Sequence, residues 1–302
     1  MPLRFSDRLD AAIQAKGNPI CVGLDPRFES LPKSIADAAI REHGNTPRAR
    51  AEAFLSFNKA LLDALADVVP VCKPQIAFYE ELGADGIRAY SETIRYAKSK
   101  GVLVISDAKR GDIGATAEAY ARAHLSGAGA AFDADALTVN PYMGRDTLEP
   151  YLKTGGGIFI LVKTSNPGSG DLQDLKLADG RIVREHVAQM VHELGKNHRG
   201  ACGLSDVGAV VGATYPDEAR ALRALMPDTI FLIPGYGAQG GSAADAAAGF
   251  RADGRGAIVN NSRGIIFAYK QDKERGEAHF ADAAREAALK MARELRDALN
   301  SK

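Results

Sequence analysis

Eight short runs rich in β-branched and aliphatic residues recur along the 302-residue chain, separated by Ala-, Leu- and charge-rich stretches of helical character. The runs are 20–25, 68–73, 102–107, 134–140, 157–164, 207–212, 229–234 and 256–261. Helices are predicted over 6–16, 50–67, 80–100, 115–124, 145–153, 181–197, 216–225, 243–248 and 277–299. Such alternation builds parallel sheets from βαβ units. Eight successive units predict an α/β fold, a closed (β/α)8 TIM barrel, rather than an open sheet. The length would admit two average domains, but barrels of this class commonly use it for one, so a single domain over 1–302 is expected. Two connections, 26–49 after the first run and 165–180 after the fifth, are longer than a barrel needs. Both are predicted as loops on the carboxyl-terminal face, where barrel active sites are built.

Charge excludes several classes. Thirty-eight Lys and Arg balance thirty-eight Asp and Glu, so the chain has no electrostatic footprint for nucleic acid or an anionic membrane. The amino-terminal residues lack an apolar core for a signal peptide, and no later segment is long and apolar enough to span a bilayer. A cytoplasmic protein is expected. Cys21, Cys72 and Cys202 are odd in number and lack metal-ligand spacing, which argues against a disulfide or zinc role.

The densest chemistry lies in Ser106-Asp107-Ala108-Lys109-Arg110-Gly111-Asp112-Ile113-Gly114, straight after an apolar run. On a strand, side chains two apart share a face, so Asp107 and Lys109 project together and Ala108 points away. Neighbouring negative charge favours the charged form of an amine, making a lysine so placed a proton donor rather than a nucleophile. The competing reading is a salt-bridged strand end with Asp112 as the N-cap of the next helix.

Other polar residues fall at the carboxyl ends of the runs: Asp25, Lys73, Asn140, Thr164 with Ser165, Gln239 and Arg263. Singly, each has a bland reading as a turn cap or a snorkelling side chain. In a barrel these ends converge on one mouth. Pro234-Gly235-Tyr236-Gly237-Ala238-Gln239-Gly240-Gly241 and Ser262-Arg263-Gly264 follow the last two runs, where barrels recurrently bind phosphate. Glycines let backbone N–H groups approach an anion, and an arginine clamps its oxygens through a planar fork.

Taken together, these motifs resemble the orotidine 5'-phosphate decarboxylase family over nearly the whole chain. The lysine followed by Asp-x-Lys-x-x-Asp stands here as Lys73, then Asp107, Lys109 and Asp112, and the wording and length are similar to the family's longer bacterial branch. The resemblance implies decarboxylation of orotidine 5'-phosphate to UMP, the last step of pyrimidine nucleotide synthesis, with no metal or organic cofactor. By the same resemblance Lys109 is the proton donor within an array completed by Asp107, Lys73 and Asp112. Asp112 would be supplied across a homodimer interface to the partner's site. Asp25 and Lys73 would meet ribose hydroxyls and Ser165 the polar edge of the pyrimidine. Gly235, Tyr236, Gly237, Gln239 and Arg263 would hold the phosphate.

Three rivals have distinct signatures. A Schiff-base aldolase would draw on Lys73, Lys109 or Lys163 near strand ends, but requires a lysine of depressed pKa. The related magnesium-dependent sugar-phosphate decarboxylase and synthase group resembles this chain in its Asp-x-Lys-x-x-Asp motif but has an acid where Lys73 stands. A non-catalytic nucleotide-binding barrel would keep the phosphate loops without needing the charge array.

Overall fold

In the computed structural model, which describes residues 3–237, 240–272 and 274–301, all eight expected strands form and pair in parallel in chain order. The eighth returns to pair with the first, Ile20 against Val259, and so closes the barrel. The chain runs α1 (Phe5–Lys16), β1 (Ile20–Leu24), α2 (Lys33–His43), α3 (Pro47–Leu65), β2 (Val71–Pro74), α4 (Ala77–Glu80), α5 (Gly83–Ser99) and β3 (Leu103–Arg110). It continues through α6 (Gly114–Leu125), β4 (Ala136–Val139), α7 (Glu149–Leu152), β5 (Gly157–Lys163), α8 (Gly170–Gln173), α9 (Val183–Gly195) and β6 (Ser205–Val211). The remainder is α10 (Pro216–Leu225), β7 (Thr229–Ile233), α11 (Ala243–Ala247), β8 (Ala257–Asn261), α12 (Arg263–Ile266) and α13 (Phe280–Asn300). Among the described residues no helix is long and apolar enough to cross a membrane.

Local chemistry sets two of the boundaries clearly. Gly17 ends α1 in the left-handed region, φ 67°, its N–H returning to the Ile13 and Gln14 carbonyls. Helix α3 begins earlier than predicted because Thr46 caps it, its Oγ1 accepting from Ala49 N, and Pro47 opens the first turn. The connection expected as a loop over 26–49 therefore contains α2 and the start of α3. The expected 165–180 loop likewise holds the short α8.

Two hydrophobic clusters carry the fold. An outer one lies between strands and helices; α13 contributes Phe280, Ala284, Ala288, Met291 and Leu295 to it at helical spacing. An inner one fills the barrel with Val71, Ile105, Ala136, Phe159, Ile230 and Ile258, and Phe5 of α1 closes the floor edge-on to Phe159. Two residues further along each strand the same inward direction recurs. This next layer holds Lys73, Asp107, Thr138 and Asn260 on one side and Leu161, Val210 and Leu232 on the other.

Candidate active site

That upper layer floors a cavity of about 540 Å³ at the carboxyl-terminal mouth, a size suited to a small-molecule ligand. One half of the floor is charged and the other apolar.

Asp107 organises the charged half. Its Oδ2 accepts from Lys73 Nζ at 2.5 Å and its Oδ1 from Lys109 Nζ at 2.6 Å and Thr138 Oγ1 at 2.9 Å. Lys73 and Asp107 are buried, whereas the Lys109 side chain is about half exposed to the cavity. Burial opposes both buried charges, but each partner outweighs it. The Asp107 and Asp25 carboxylates hold Lys73 above the ordinary lysine range, and Lys73 and Lys109 hold Asp107 well below the usual carboxylate range.

Simple alternation does not produce this contact. The β3–β4 register shifts between Ser106 and Arg110, and Lys109 takes a left-handed backbone, φ 47°. Thr138 Oγ1 braces that conformation by accepting from the amides of both Ala108 and Lys109, at 3.0 and 2.9 Å. A bulge that re-aims a side chain at the rim of a barrel is a device of functional sites. Thr138 is a site residue that the sequence motifs do not single out. The signal was present in β4, where a polar residue stands two places after Ala136 on an inward-facing position.

Asp25, just past β1, accepts from Ser262 Oγ at 2.5 Å through Oδ2. Its other oxygen is buried without a hydrogen-bond partner among the described residues, as is Asn260 Oδ1. Gly23 makes the approach of Ser262 possible, since a Cβ there would sit 1.7 Å from Ser262 Oγ. Arg263 opens α12 at the cavity rim, with Gly235 and Tyr236 beside it. Tyr236 also donates its hydroxyl hydrogen to Glu294 of α13. Gly237 differs from expectation: its N–H is spent on Gly241 O at 2.8 Å, because the loop folds back on itself, and it does not line the cavity. Gln239 lies outside the described residues.

Ser165 lines the opposite wall with Thr164 and Asn166. Asn140 does not join the site; it is exposed, and its Oδ1 accepts from Tyr142 N in a turn. Asp112 is likewise outside the cavity of its own chain, where Asp107 is the carboxylate in contact with both lysines. Nor does it cap α6, whose N-cap is Ile113; its Oδ1 accepts from Ile113 N at 2.8 Å. Lys163, weighed as a Schiff-base amine, is buried outside the cavity against Asp174. Cys21 and Cys72 are buried thiols, and burial pushes Cys21 up to about 12. Among the described residues no group of three or more His, Cys, Asp or Glu is arranged to hold a metal ion.

A family model described as "Orotidine 5'-phosphate decarboxylase / HUMPS family" matches residues 18–278. A Rhodopirellula baltica protein named orotidine 5'-phosphate decarboxylase is 46% identical over 97% of this chain and 99% of its own. A Clostridium novyi protein of the same name is 43% identical over 96% of this chain and 97% of its own. The solved Leishmania donovani OMP decarboxylase superposes with a TM-score of 0.76 at 34% identity, covering 99% of this chain and 100% of that one.

Proposed function

The chain belongs to the orotidine 5'-phosphate decarboxylase / HUMPS family, and on that premise we propose that it converts orotidine 5'-phosphate to UMP and carbon dioxide with Lys109 as the proton donor. It is a carboxy-lyase, and the proposed reaction makes it the last step of pyrimidine nucleotide synthesis, in the cytoplasm. The observation that carries the reading is the Lys73–Asp107–Lys109 array, in which one buried carboxylate is shared by two cations at 2.5 and 2.6 Å.

Breaking the bond between C6 and the carboxylate leaves the electron pair on C6, in an sp² orbital that the ring π system cannot absorb. Fixed positive charge must stabilise it. Lys109, the more exposed of the two lysines, reaches into the cavity and supplies that charge. Its Nζ proton then forms the new C6–H bond as carbon dioxide leaves. Lys73, locked to Asp107 and buried, keeps the carboxylate oriented and meets the ribose with Asp25, whose unpaired Oδ1 awaits a hydroxyl donor. The apolar half of the floor, Leu161, Val210 and Leu232, gives the ring and the uncharged product a dry seat. Ser165 meets the polar edge of the pyrimidine. Arg263, with Gly235, Tyr236 and Gln239, holds the phosphate. That grip is remote from the breaking bond, so its binding energy can serve to assemble the charged site.

A second copy of the chain completes the site. Asp112 adjoins Ile113, and Gly111 before it packs against Asn140, at the start of the loop that carries Tyr142 and Met143; Ile113, Tyr142 and Met143 are 57%, 79% and 47% exposed. Large apolar side chains so exposed beside a polar rim mark an interaction surface. Covering them with a partner's equivalent surface would carry each Asp112 to the other chain's array in a homodimer.

The magnesium-dependent alternative is disfavoured by the array itself. Each Asp107 oxygen already accepts from an ammonium group, and the two lysine charges beside the carboxylate repel a divalent cation. The test is turnover of orotidine 5'-phosphate, followed as loss of its ultraviolet absorbance, in wild-type and Lys109→Ala proteins. Chelator-insensitive turnover by the wild type and none by the variant, with UMP binding retained, is expected. Variant activity within about tenfold of wild type, roughly 1.4 kcal/mol of barrier, would overturn the role of Lys109.

A further inference from the structure

The end of β5 carries a buried cation that the proposed chemistry does not use. Lys163 is 1% exposed, and its Nζ lies 3.0 Å from both oxygens of Asp174, just after α8. Arg184 of α9 also pairs with Asp174, and the Tyr215 ring lies 4.4 Å beneath Nζ. The β5–β6 register shifts between Leu161 and Lys163, so the strand bulges immediately before the three residues that line the cavity.

Those residues are tied to the same short helix. Gln173 accepts from Thr164 N at 3.0 Å and donates to Thr164 Oγ1 at 2.8 Å, and Thr164 Oγ1 donates to Asn166 Oδ1 at 2.7 Å. From the other side, β6 is followed by Gly212, where a Cβ would lie 3.1 Å from both Cα and Cβ of Ser165. Ser165 is thus held between a glycine that lets it sit close and a loop pinned by the Lys163–Asp174 pair, whose ammonium is buried and whose carboxylate is 41% exposed. Asp174 is the counter-charge that satisfies this buried ammonium, which ties the segment after α8 to the end of β5.

We propose that Lys163 is a positioning residue for base recognition: through Asp174, and with Gln173 and Gly212, it sets Ser165 against the pyrimidine without touching the ligand. The inference rests on the reading that Ser165 meets the pyrimidine. It therefore requires that loss of Lys163 weaken ligands carrying the base and spare those that stop at ribose and phosphate.

Titration calorimetry with UMP and with ribose 5-phosphate tests this in wild type, Ser165→Ala, Lys163→Met and the double variant. Met keeps the volume of the buried stem, and Arg184 still neutralises Asp174. Lys163→Met is expected to weaken UMP tenfold or more and ribose 5-phosphate less than twofold. In the double variant the UMP loss should exceed that of Ser165→Ala by less than threefold, because both changes act through one contact. Equal loss for both ligands, no loss for UMP, or multiplying effects in the double variant would overturn the inference while leaving the reaction assignment standing. Unchanged UMP affinity in Ser165→Ala would instead overturn the base-reading role of Ser165, and this inference with it. Should Lys163→Met fail to fold, Gln173→Ala, which leaves the Lys163–Asp174 pair intact, must show the same ligand-selective loss; if it does not, the inference is overturned.

Discussion

Replacing Asp107 by Asn is predicted to destabilise the barrel and to make its stability rise between pH 8 and 10, a range in which the wild-type contribution of Lys73 stays flat. Lys73 and Asp107 are 7% and 8% exposed and 2.5 Å apart, so the substitution leaves a buried ammonium without its nearest counter-charge. Removing one partner of such a pair costs about 3–5 kcal/mol. Asp25 still acts on Lys73, which places the expected loss near the lower end, about 3 kcal/mol at pH 8. In the wild type Lys73 is raised in the folded state, so its contribution is fully present below the unfolded value of about 10.4 and is lost as pH rises through the folded value. In the variant burial dominates and the folded value drops below the unfolded one. The unfolded chain then binds more protons, and stability rises with pH towards about 10.4. Urea unfolding at pH 8, 9 and 10 should therefore show the gap between the two proteins narrowing, by at most about 1.4 kcal/mol per pH unit. Adding Lys73→Met to Asp107→Asn should recover at least half of the loss, since the uncompensated buried ammonium is removed. A variant as stable as wild type at pH 8, or a gap that does not change with pH, would refute the reasoning.

Two further outcomes follow from the same site. Arg263→Ala should weaken phosphorylated ligands while leaving the slow reaction of orotidine, which lacks the phosphate, nearly unchanged; equal loss with both substrates would remove Arg263 from the phosphate site. Lys109→Ala and Asp112→Asn proteins should each be inactive alone, yet co-refolding them should restore about a quarter of wild-type sites, because about half of the dimers are mixed and each carries one complete site. No recovery, with subunit exchange verified by differently tagged chains, would place the role of Asp112 within its own chain.

The barrel was legible from the sequence because its signal is repeated and local. Each strand is a short apolar run, the longer helices such as α3, α5 and α13 carry a buried stripe, and eight repeats leave little room for an open sheet. The charge array was legible for the same reason: Lys73 and Asp107 each follow an inner-core residue, Val71 and Ile105, by two positions, so strand periodicity alone points them inward. Helix starts were less legible where a cap had to be recognised. Thr46-Pro47 opens α3, but it sits in a stretch that composition marks as loop.

What only the tertiary structure decided are the contacts between residues distant in sequence and the departures from regular backbone. Periodicity aims Lys109 beside Asp107, but the bulge, the left-handed φ of 47° and the Thr138 brace that produce the contact depend on β4 lying against β3. Ser262 meets Asp25 only because barrel closure brings β8 to β1 and Gly23 leaves the space. Lys163 reads in sequence as one more strand-end lysine, equal in rank to Lys73 and Lys109. Its partner Asp174 lies eleven residues on in an irregular segment, and no period relates the two. Residue types and their alternation are set within a few neighbours along the chain. Which buried charge finds which counter-charge is set by how the strands and loops pack.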